Sequence, residues 1–415
     1  TESGAPLGQE SVVVAPETEA TIGASGQSLT ATVTSTTDRL TLYRYGDADA
    51  AALSDDALPG PATERANLVW GAAHTDASSS VTADLELTYG DVTVPTPDAV
   101  RLVSRPAPTA DWANRNSEAT ITGTTATLPG QTSFGEYGLS EPSIYHVNAA
   151  ATAGEGNGSS FSDAFPDLQE ALDRAQSHDV IVIAAGTYVP TGDPGNRDAR
   201  FEITGAQDGL KIYGGWPDTT SFGNIAEIDE ALSVRDLGEN LTVLSGDIDN
   251  NDAKTNGITE DAADISGANS YTVLYLDGKA GGNITTGTVL DGLVITGGQA
   301  DGSGRSPASR GGGVYCDGEG SGNRCSPLIS NTRFIGNFAD RDGGAIYNDG
   351  SFNGASSPQV ANATFTGNDA GRGGAIYNDG EGEASPQITS AIFAGNTAED
   401  GGAIYNNGID GTSSP

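Results

Sequence analysis

GGAIYN stands at 343–348, again at 373–378 and again at 401–406, with a looser copy, GGGVYC, at 311–316. Between copies runs F-x-G-N, at 334–337, 365–368 and 393–396. A Ser-Pro pair falls at 326–327, 357–358, 385–386 and 414–415. Successive Gly-Gly copies are 32, 30 and 28 residues apart. Self-similarity at this period marks a solenoid, in which one supersecondary unit stacks on the next. The unit lacks the helical spacing of apolar residues. It holds three short β-like pieces, for example 359–360, 363–366 and 375–377, punctuated by Gly, Asn, Asp and Pro. Three strands per repeat with tight corners make one turn of a parallel β-helix, with coils about 4.8 Å apart.

Stacking demands columns of equivalent residues. Alignment of the copies places Ile295, Phe334, Phe365 and Phe393 in one apolar column, and Leu274, Val314, Ile346, Ile376 and Ile404 in another. Asn337, Asn368 and Asn396 make a third, expected as a ladder of side-chain amides at a corner. A fourth column reads Arg310, Asp342, Arg372, Asp400, with its sign alternating at every coil. Opposite-charge pairs of this kind contribute roughly 0.2–1 kcal/mol each. Asp277, Asp317, Asp349 and Asp379 form a column that should repel, each just before a Gly. High salt or a bound cation would relieve the repulsion; alternatively, each Asp makes its own Asx turn.

The chain has 415 residues and a formal net charge of −37, with lysine only at Lys211, Lys254 and Lys279. Such a field repels polyanions and argues against nucleic-acid partners. Carboxylate excess with Arg well above Lys reads as the composition of a salt-adapted bacterial protein; an ordinary acidic secreted protein from a GC-rich genome shares it. No apolar run approaches 18 residues, so membrane insertion by a helix is not expected. Thr1 is not an initiator methionine, so the sequence reads as a mature or excised form. Cys316 and Cys325 bracket an insertion and are expected to staple it as a disulfide, which fits an oxidising, extracellular or cell-surface setting.

Residues 1–140 read as an Ig-like β-sandwich. Val81, Ala83, Leu85, Leu87 and Tyr89 alternate with polar residues, and further strands are expected near 28–33, 39–43, 99–103 and 119–121. Trp70, Trp112, Phe134 and Tyr137 are assigned to its core, and 48–64 to a loop. Residues 141–160 are a connector whose piece 144–147 is extended enough to join the solenoid. A helix is expected at about 165–176, capped by Asp163, with Leu168, Ala171, Leu172 and Ala175 on its apolar face. It is placed to cover the exposed end of the first coil, and His178 to cap its C-terminus. The solenoid then runs over 161–415, irregular at first and regular from about 290. An insertion in the early coils carries Asp247, Asp249, Asn251 and Asp252, alternating oxygen ligands of the kind a Ca²⁺ loop uses. Calcium is therefore the one candidate cofactor; the other reading is an acidic turn in solvent.

The GGA-I and F-x-x-N phrases resemble the repeats of chlamydial polymorphic outer-membrane proteins and related bacterial surface adhesins. Residues 145–216 resemble the opening of secreted right-handed parallel β-helix proteins of the pectate-lyase-like superfamily, where this stretch supplies the cap and first coil. The module ending in SFGEYGLS at 133–140 resembles the β-sandwiches of large secreted bacterial proteins. The fold class expected is thus all-β: an N-terminal β-sandwich followed by a right-handed parallel β-helix with one short capping helix. The fold alone does not name a function. Enzymes of this resemblance use a carboxylate-held Ca²⁺ with a Lys or Arg base, or paired Asp with Gly-His-Gly. Here the histidines are His74, His146 and His178, and no Gly-His-Gly exists. Arg341 and Arg372 keep the repeat, whereas a catalytic site breaks one. The expectation is a non-catalytic extracellular adhesin, stalk or filament subunit, with no catalytic residues. The alternative is a secreted polysaccharide lyase or carbohydrate-binding β-helix. The repeat opens again at Ser414-Pro415, so either the natural protein continues or the last coil lies open. An open coil would favour end-to-end homo-polymerisation; other surface proteins or glycans are the remaining partner class.

Overall fold

The computed structural model describes residues 142–415, except 153–155, 221, 223, 305, 409, 410 and 415, together with eleven strands between Glu10 and Ser140. It divides into two units, Thr1–Ser143 and Ile144–Pro415. The first unit is all antiparallel. One sheet runs Glu10–Val14, Leu40–Arg44, Trp70–His74, Glu136–Ser140, Arg101–Arg105, Ala113–Asn114; the other runs Glu19–Ala24, Gln27–Val33, Ala83–Tyr89, Thr125–Gln131, Thr120–Thr122. Along Ala83–Tyr89 the expected alternation is present: Ala83, Leu85 and Leu87 are buried while Asp84 and Glu86 are exposed. Leu29 and Ala31 pair with Leu87 and Leu85 and are equally buried, so one face of this sheet is core. The side chains of Trp70, Trp112, Phe134 and Tyr137, and the loop expected at 48–64, lie outside the described residues.

The second unit is a parallel β-helix. Its first strand is Ile144–Val147, inside the segment expected as connector. A regular coil has five strands rather than three: Gln359–Ala361, Thr364–Thr366, Asp369–Arg372, Ile376–Asp379 and Glu383–Ala384. Each pairs in parallel with its equivalents above and below, which gives walls of seven, six, four, six and four strands. The two walls missed in the sequence are built from Asp369–Arg372 and Glu383–Ala384. They are short and polar, so no apolar alternation announces them.

The expected columns are in register. Ile295, Phe334, Phe365 and Phe393 are consecutive partners, and the three phenylalanine rings stack at 4.8 and 4.7 Å with interplanar angles of 3° and 5°. Each fully buried ring contributes roughly 1.5–3 kcal/mol. Asn337 Nδ2 donates to Asn368 Oδ1 at 3.0 Å, and Asn368 Nδ2 to Asn396 Oδ1 at 2.8 Å. The same Nδ2 atoms also reach Ile295 O and Phe334 O, and the Oδ1 atoms of Asn368 and Asn396 accept the backbone N–H of the coil above. A second amide ladder, Asn348 to Asn378 to Asn406, runs at 2.7 Å per step.

The Gly pair of the repeat serves two separate demands. Gly343, Gly373 and Gly401 take φ of 70°, 61° and 63°, a left-handed corner where a side chain is strained. The second glycine is required by contact: a Cβ at Gly374 would lie 2.2 Å from Thr397 O and 2.5 Å from Gly402 O of the next coil.

The capping helix is Leu168–Arg174, shorter than expected, and its N-cap is Asp167 rather than Asp163. Asp167 accepts the amide of Gln169 at 2.8 Å. Asp163 instead ends a 3₁₀ turn, Phe161–Asp163. Leu168, Ala171 and Leu172 are buried against the first coils, in one cluster with Tyr145, Ile181, Phe201 and Ile203. His178 lies past the helix with φ of 67° and its ring on Ser177 Oγ at 2.6 Å. The helix end is served by Gln207, whose Nε2 donates to Leu172 O at 2.7 Å and Ala175 O at 3.3 Å. A second short helix, Ile225–Ala231, was not anticipated. It belongs to an early insertion and packs Ile228 over Tyr213, Trp216, Val180 and Val182 on the outer face of the seven-stranded wall.

Asn368→Ala should cost on the order of 2 kcal/mol, because two coils lose buried hydrogen-bond partners. Gly374→Ala should cost at least as much, since backbone of the next coil must move. Urea unfolding measures both, and a loss near zero in either variant would contradict the register described.

Candidate functional site

Two places concentrate chemistry. The first is the acidic insertion, which folds into a small layer over the second wall. Its hairpin, Lys254–Thr255 with Ile258–Thr259, puts Ile258 on Val243, Val294 and Ile335. Thr296 Oγ1 donates to Thr259 O at 2.9 Å and accepts the Thr259 N–H at 3.1 Å. Further along, Ala262 N donates to Gly367 O at 2.9 Å. The insertion therefore leaves the early coils and ties onto a corner far down the repeat. Gly336 and Gly367 make that approach possible: a Cβ on either would meet Thr259 O at 2.2 Å or Glu260 O at 2.6 Å.

Three of the four candidate calcium ligands, the aspartates, accept from donors of the protein itself, and the fourth, Asn251, donates through its side-chain amide to Asp249. Asp247 accepts from Lys254 Nζ at 2.5 Å and from the amides of Asn251 and Asp252. Asp252 accepts from the Ser266 amide at 2.7 Å, Thr259 Oγ1 at 2.8 Å and Asn269 Nδ2 at 2.9 Å. Asp249 accepts from Asn251 Nδ2 and the Ala268 amide, both at 2.9 Å. Among the described residues no group of three or more His, Cys, Asp or Glu side chains is arranged to hold a metal ion. The oxygens of Asp247 and Asp252 are taken up by the Lys254 ammonium, amides and a hydroxyl, while the buried Asp249 Oδ1 has no hydrogen-bond partner among the described residues. Burial works against the Asp247 carboxylate, yet the Lys254 ammonium and the two amides outweigh it and hold the group below the usual carboxylate range. Burial dominates at Asp252 and pushes it up. A split pair of carboxylates is the pattern of acid–base catalysis. Here both groups are buried, 2 % and 7 % exposed, and face into the insertion.

The second place is the outer face of the fourth wall, built from strands such as Ile376–Asp379. Tyr275, Tyr315, Tyr347, Tyr377 and Tyr405 stand in register, with ring centroids 5.7, 4.9, 5.3 and 5.2 Å apart. Two residues on, the aspartate column shares this face. Tyr275 Oη donates to Asp317 Oδ2 at 2.5 Å, Tyr315 to Asp349 at 2.5 Å and Tyr347 to Asp379 at 2.6 Å. The other oxygen closes the residue's own turn at Asp317, with the Glu319 amide, and at Asp349, with Ser351; at Asp379 it accepts from Asn407 Nδ2 at 3.0 Å. The repulsion expected in this column is thus relieved by phenols and, at Asp317, by Lys279 Nζ at 2.6 Å. Burial pulls the Lys279 ammonium down, but Asp317 and Glu319 outweigh it and raise the group to about 12.

The alternating charge column flanks these rings. Asp342 is fully buried between Arg310 (3.0 Å) and Arg372 (2.8 Å), which come from the coils on either side. Asp400 is in register with Arg372 but exposed. Arg310 also donates to Tyr347 Oη at 2.7 Å. Buried ion pairs add little net stability, so their contribution here is to specify which coil sits on which. The tyrosine column was not singled out from the sequence, although Tyr recurs in every copy and would have shown it. Cys316 and Cys325 form a disulfide, with Cα atoms 5.6 Å apart. It closes the corner where later coils carry 349–356 and 379–384.

The repeat model described as the Chlamydia polymorphic membrane protein repeat matches the chain three times, over 331–349, 362–379 and 390–407. Each match covers one stretch from the second wall, through the Asn corner, the third wall and the Gly pair, to the fourth wall. No curated protein and no solved structure matches the chain. Among the described residues no helix is long and apolar enough to cross a membrane.

Lys254→Ala should cost on the order of 3 kcal/mol at neutral pH by stranding the buried Asp247 carboxylate. Asp247 is held low in the fold, so its contribution is present above its unfolded value near 4 and is lost as pH falls through the lowered folded value. The gap between the variant and the parent chain should therefore close in acid; a constant gap in thermal melts from pH 7 to 3 would contradict this. Burial pushes the phenols of Tyr275, Tyr315, Tyr347 and Tyr377 up, reinforced by nearby aspartates. Groups raised in the fold contribute stability below their unfolded value, about 10, and lose it as pH rises past that. Alkaline titration should show a tyrosinate fraction that appears only together with unfolding. Complete titration of all tyrosines in the folded state would rule out the buried column.

Proposed function

We propose that this chain is part of a non-catalytic, extracellular protein of a bacterial surface, in which the β-helix acts as a stiff acidic stalk that presents adhesive faces. The observation that carries this reading is the threefold match to a repeat described from Chlamydia polymorphic membrane proteins, each copy lying on one coil. The construction supports a mechanical role. Backbone hydrogen bonds run along the solenoid axis, amide and aromatic ladders lock neighbouring coils, and the strongest carboxylate networks are closed on themselves. The net charge of −37 keeps such a rod hydrated and suits a saline habitat. Its partners would be glycans or proteins of another surface, or further copies of the chain.

Immunogold labelling of intact cells of the source bacterium tests the location. Labelling without permeabilisation is expected, and labelling only after it would contradict the proposal. Incubation with uronic-acid polymers tests the absence of catalysis, and release of unsaturated products would overturn it. Salt tests the charge argument. Raising KCl from about 0.1 to about 1 M shortens the screening length from about 10 to about 3 Å. The melting temperature should rise by several degrees, and a flat response would remove the case for salt adaptation.

A further inference from the structure

We propose that the tyrosine column of the fourth wall is a proton-coupled conduit for one-electron oxidising equivalents, collected from a radical oxidant at the surface and held at Tyr315. Three observations meet there. The five rings form an unbroken row with centroid steps of 4.9–5.7 Å, tilted by 43° and 39° on either side of Tyr315 and stacked from Tyr347 to Tyr405, short enough for an electron to pass between neighbours. The first four rings are at most 5 % exposed, so a radical formed on them is shielded from solvent. Tyr275, Tyr315 and Tyr347 each hold a charge-assisted O–H bond of 2.5–2.6 Å to an aspartate of the next coil.

The chemistry follows from the phenol. Removing one electron from a phenol makes its proton strongly acidic, so oxidation is easy only where a base waits for that proton. At Tyr315 the electron leaves to a neighbouring oxidised ring, and the O–H proton moves to the Asp349 carboxylate. A neutral phenoxyl radical beside a neutral carboxyl results. Reduction reverses both transfers. Overall, one phenol and one external one-electron oxidant give one phenoxyl radical, one reduced oxidant and one proton kept on aspartate.

The column also has a preferred site. Asn407 follows Asp277, Asp317, Asp349 and Asp379 in their column. Arg372 lies over the rings of Tyr377 and Tyr405, Arg310 over Tyr347 and Arg200 over Tyr275, and each guanidinium disfavours positive charge on the ring it covers. Among the described residues, Tyr315 is the ring of the column with a carboxylate acceptor and no guanidinium over its face. An oxidising equivalent on the column therefore runs downhill to Tyr315.

The test uses the whole chain. A tris-bipyridyl ruthenium complex with persulfate generates the oxidant in a light flash, and the tyrosyl radical is followed by absorbance and by electron paramagnetic resonance after rapid freezing. The parent chain should give a long-lived tyrosyl signal. Tyr315→Phe keeps the ring and should lower the long-lived yield several-fold. Asp349→Asn, a residue the column already carries at Asn407, should lower it too and weaken its deuterium isotope effect. Tyr188→Phe, a buried tyrosine outside the column, should leave the signal unchanged. A long-lived signal untouched by both Tyr315→Phe and Asp349→Asn would overturn the proposal, as would one lost equally in Tyr188→Phe. Should Tyr315→Phe fail to fold, Asp349→Asn and the isotope effect on the parent chain decide alone.

Discussion

The structure depends on one constraint: parallel strands of successive coils hydrogen-bond residue to equivalent residue, so whatever the repeat places at a position it places in a column. A column multiplies the consequence of each choice. Phenylalanine becomes a continuous ring stack inside the coil, asparagine a chain of amides in which each donor finds an acceptor one coil away. Aspartate, which should fail by the same logic, persists because tyrosine in the coil above donates to one oxygen while the turn or, at Asp379, the Asn407 side chain uses the other. The alternating Arg310, Asp342 and Arg372 solve the same problem with opposite signs. The Gly pair is the price of this closeness, one glycine for the corner's backbone and one for the neighbour's carbonyls.

The early coils depart from the pattern because they carry added parts. The helix Leu168–Arg174 covers the first cross-section, the helix Ile225–Ala231 covers apolar residues on the outside of one wall, and the acidic insertion reaches from the second wall down to Gly367. These additions tie coils together over a longer range than a ladder does. They also account for the acidic cluster, whose carboxylates serve as acceptors for the insertion's own amides, hydroxyls and Lys254. Surface charge and internal carboxylates thus have separate uses in one chain.

Much of this was legible in the sequence. The columns of Phe334, Asn337, Ile346 and Asp342 could be aligned because the repeats are nearly constant in length and their marker residues are identical. The alternation at Ala83, Leu85 and Leu87 was legible for the same periodic reason. Two of the five walls were not, since Asp369–Arg372 and Glu383–Ala384 are polar and short and owe their strand state to neighbouring coils. The Tyr–Asp bonds were hidden because each joins residues about 40 or about 30 apart in the chain, across a coil boundary, and alignment shows neighbours without showing reach. The cap assigned to Asp163 failed by one turn: Asp167 offers the same chemistry, and only packing of Leu168 and Leu172 chooses between them. The docking of the insertion on Gly336 and Gly367 could not be read locally, because it depends on a missing side chain in a distant repeat.

The central claim is that cross-coil side-chain ladders hold the solenoid in register. Its most direct test is hydrogen exchange of the side-chain amides of Asn337, Asn368, Asn348 and Asn378, resolved by nuclear magnetic resonance. Buried ladder amides should exchange orders of magnitude more slowly than the exposed Asn353, and together with the backbone amides of their own coils. Exchange as fast as at Asn353, with the backbone still protected, would mean that the coils stack without the ladders and that the account is wrong.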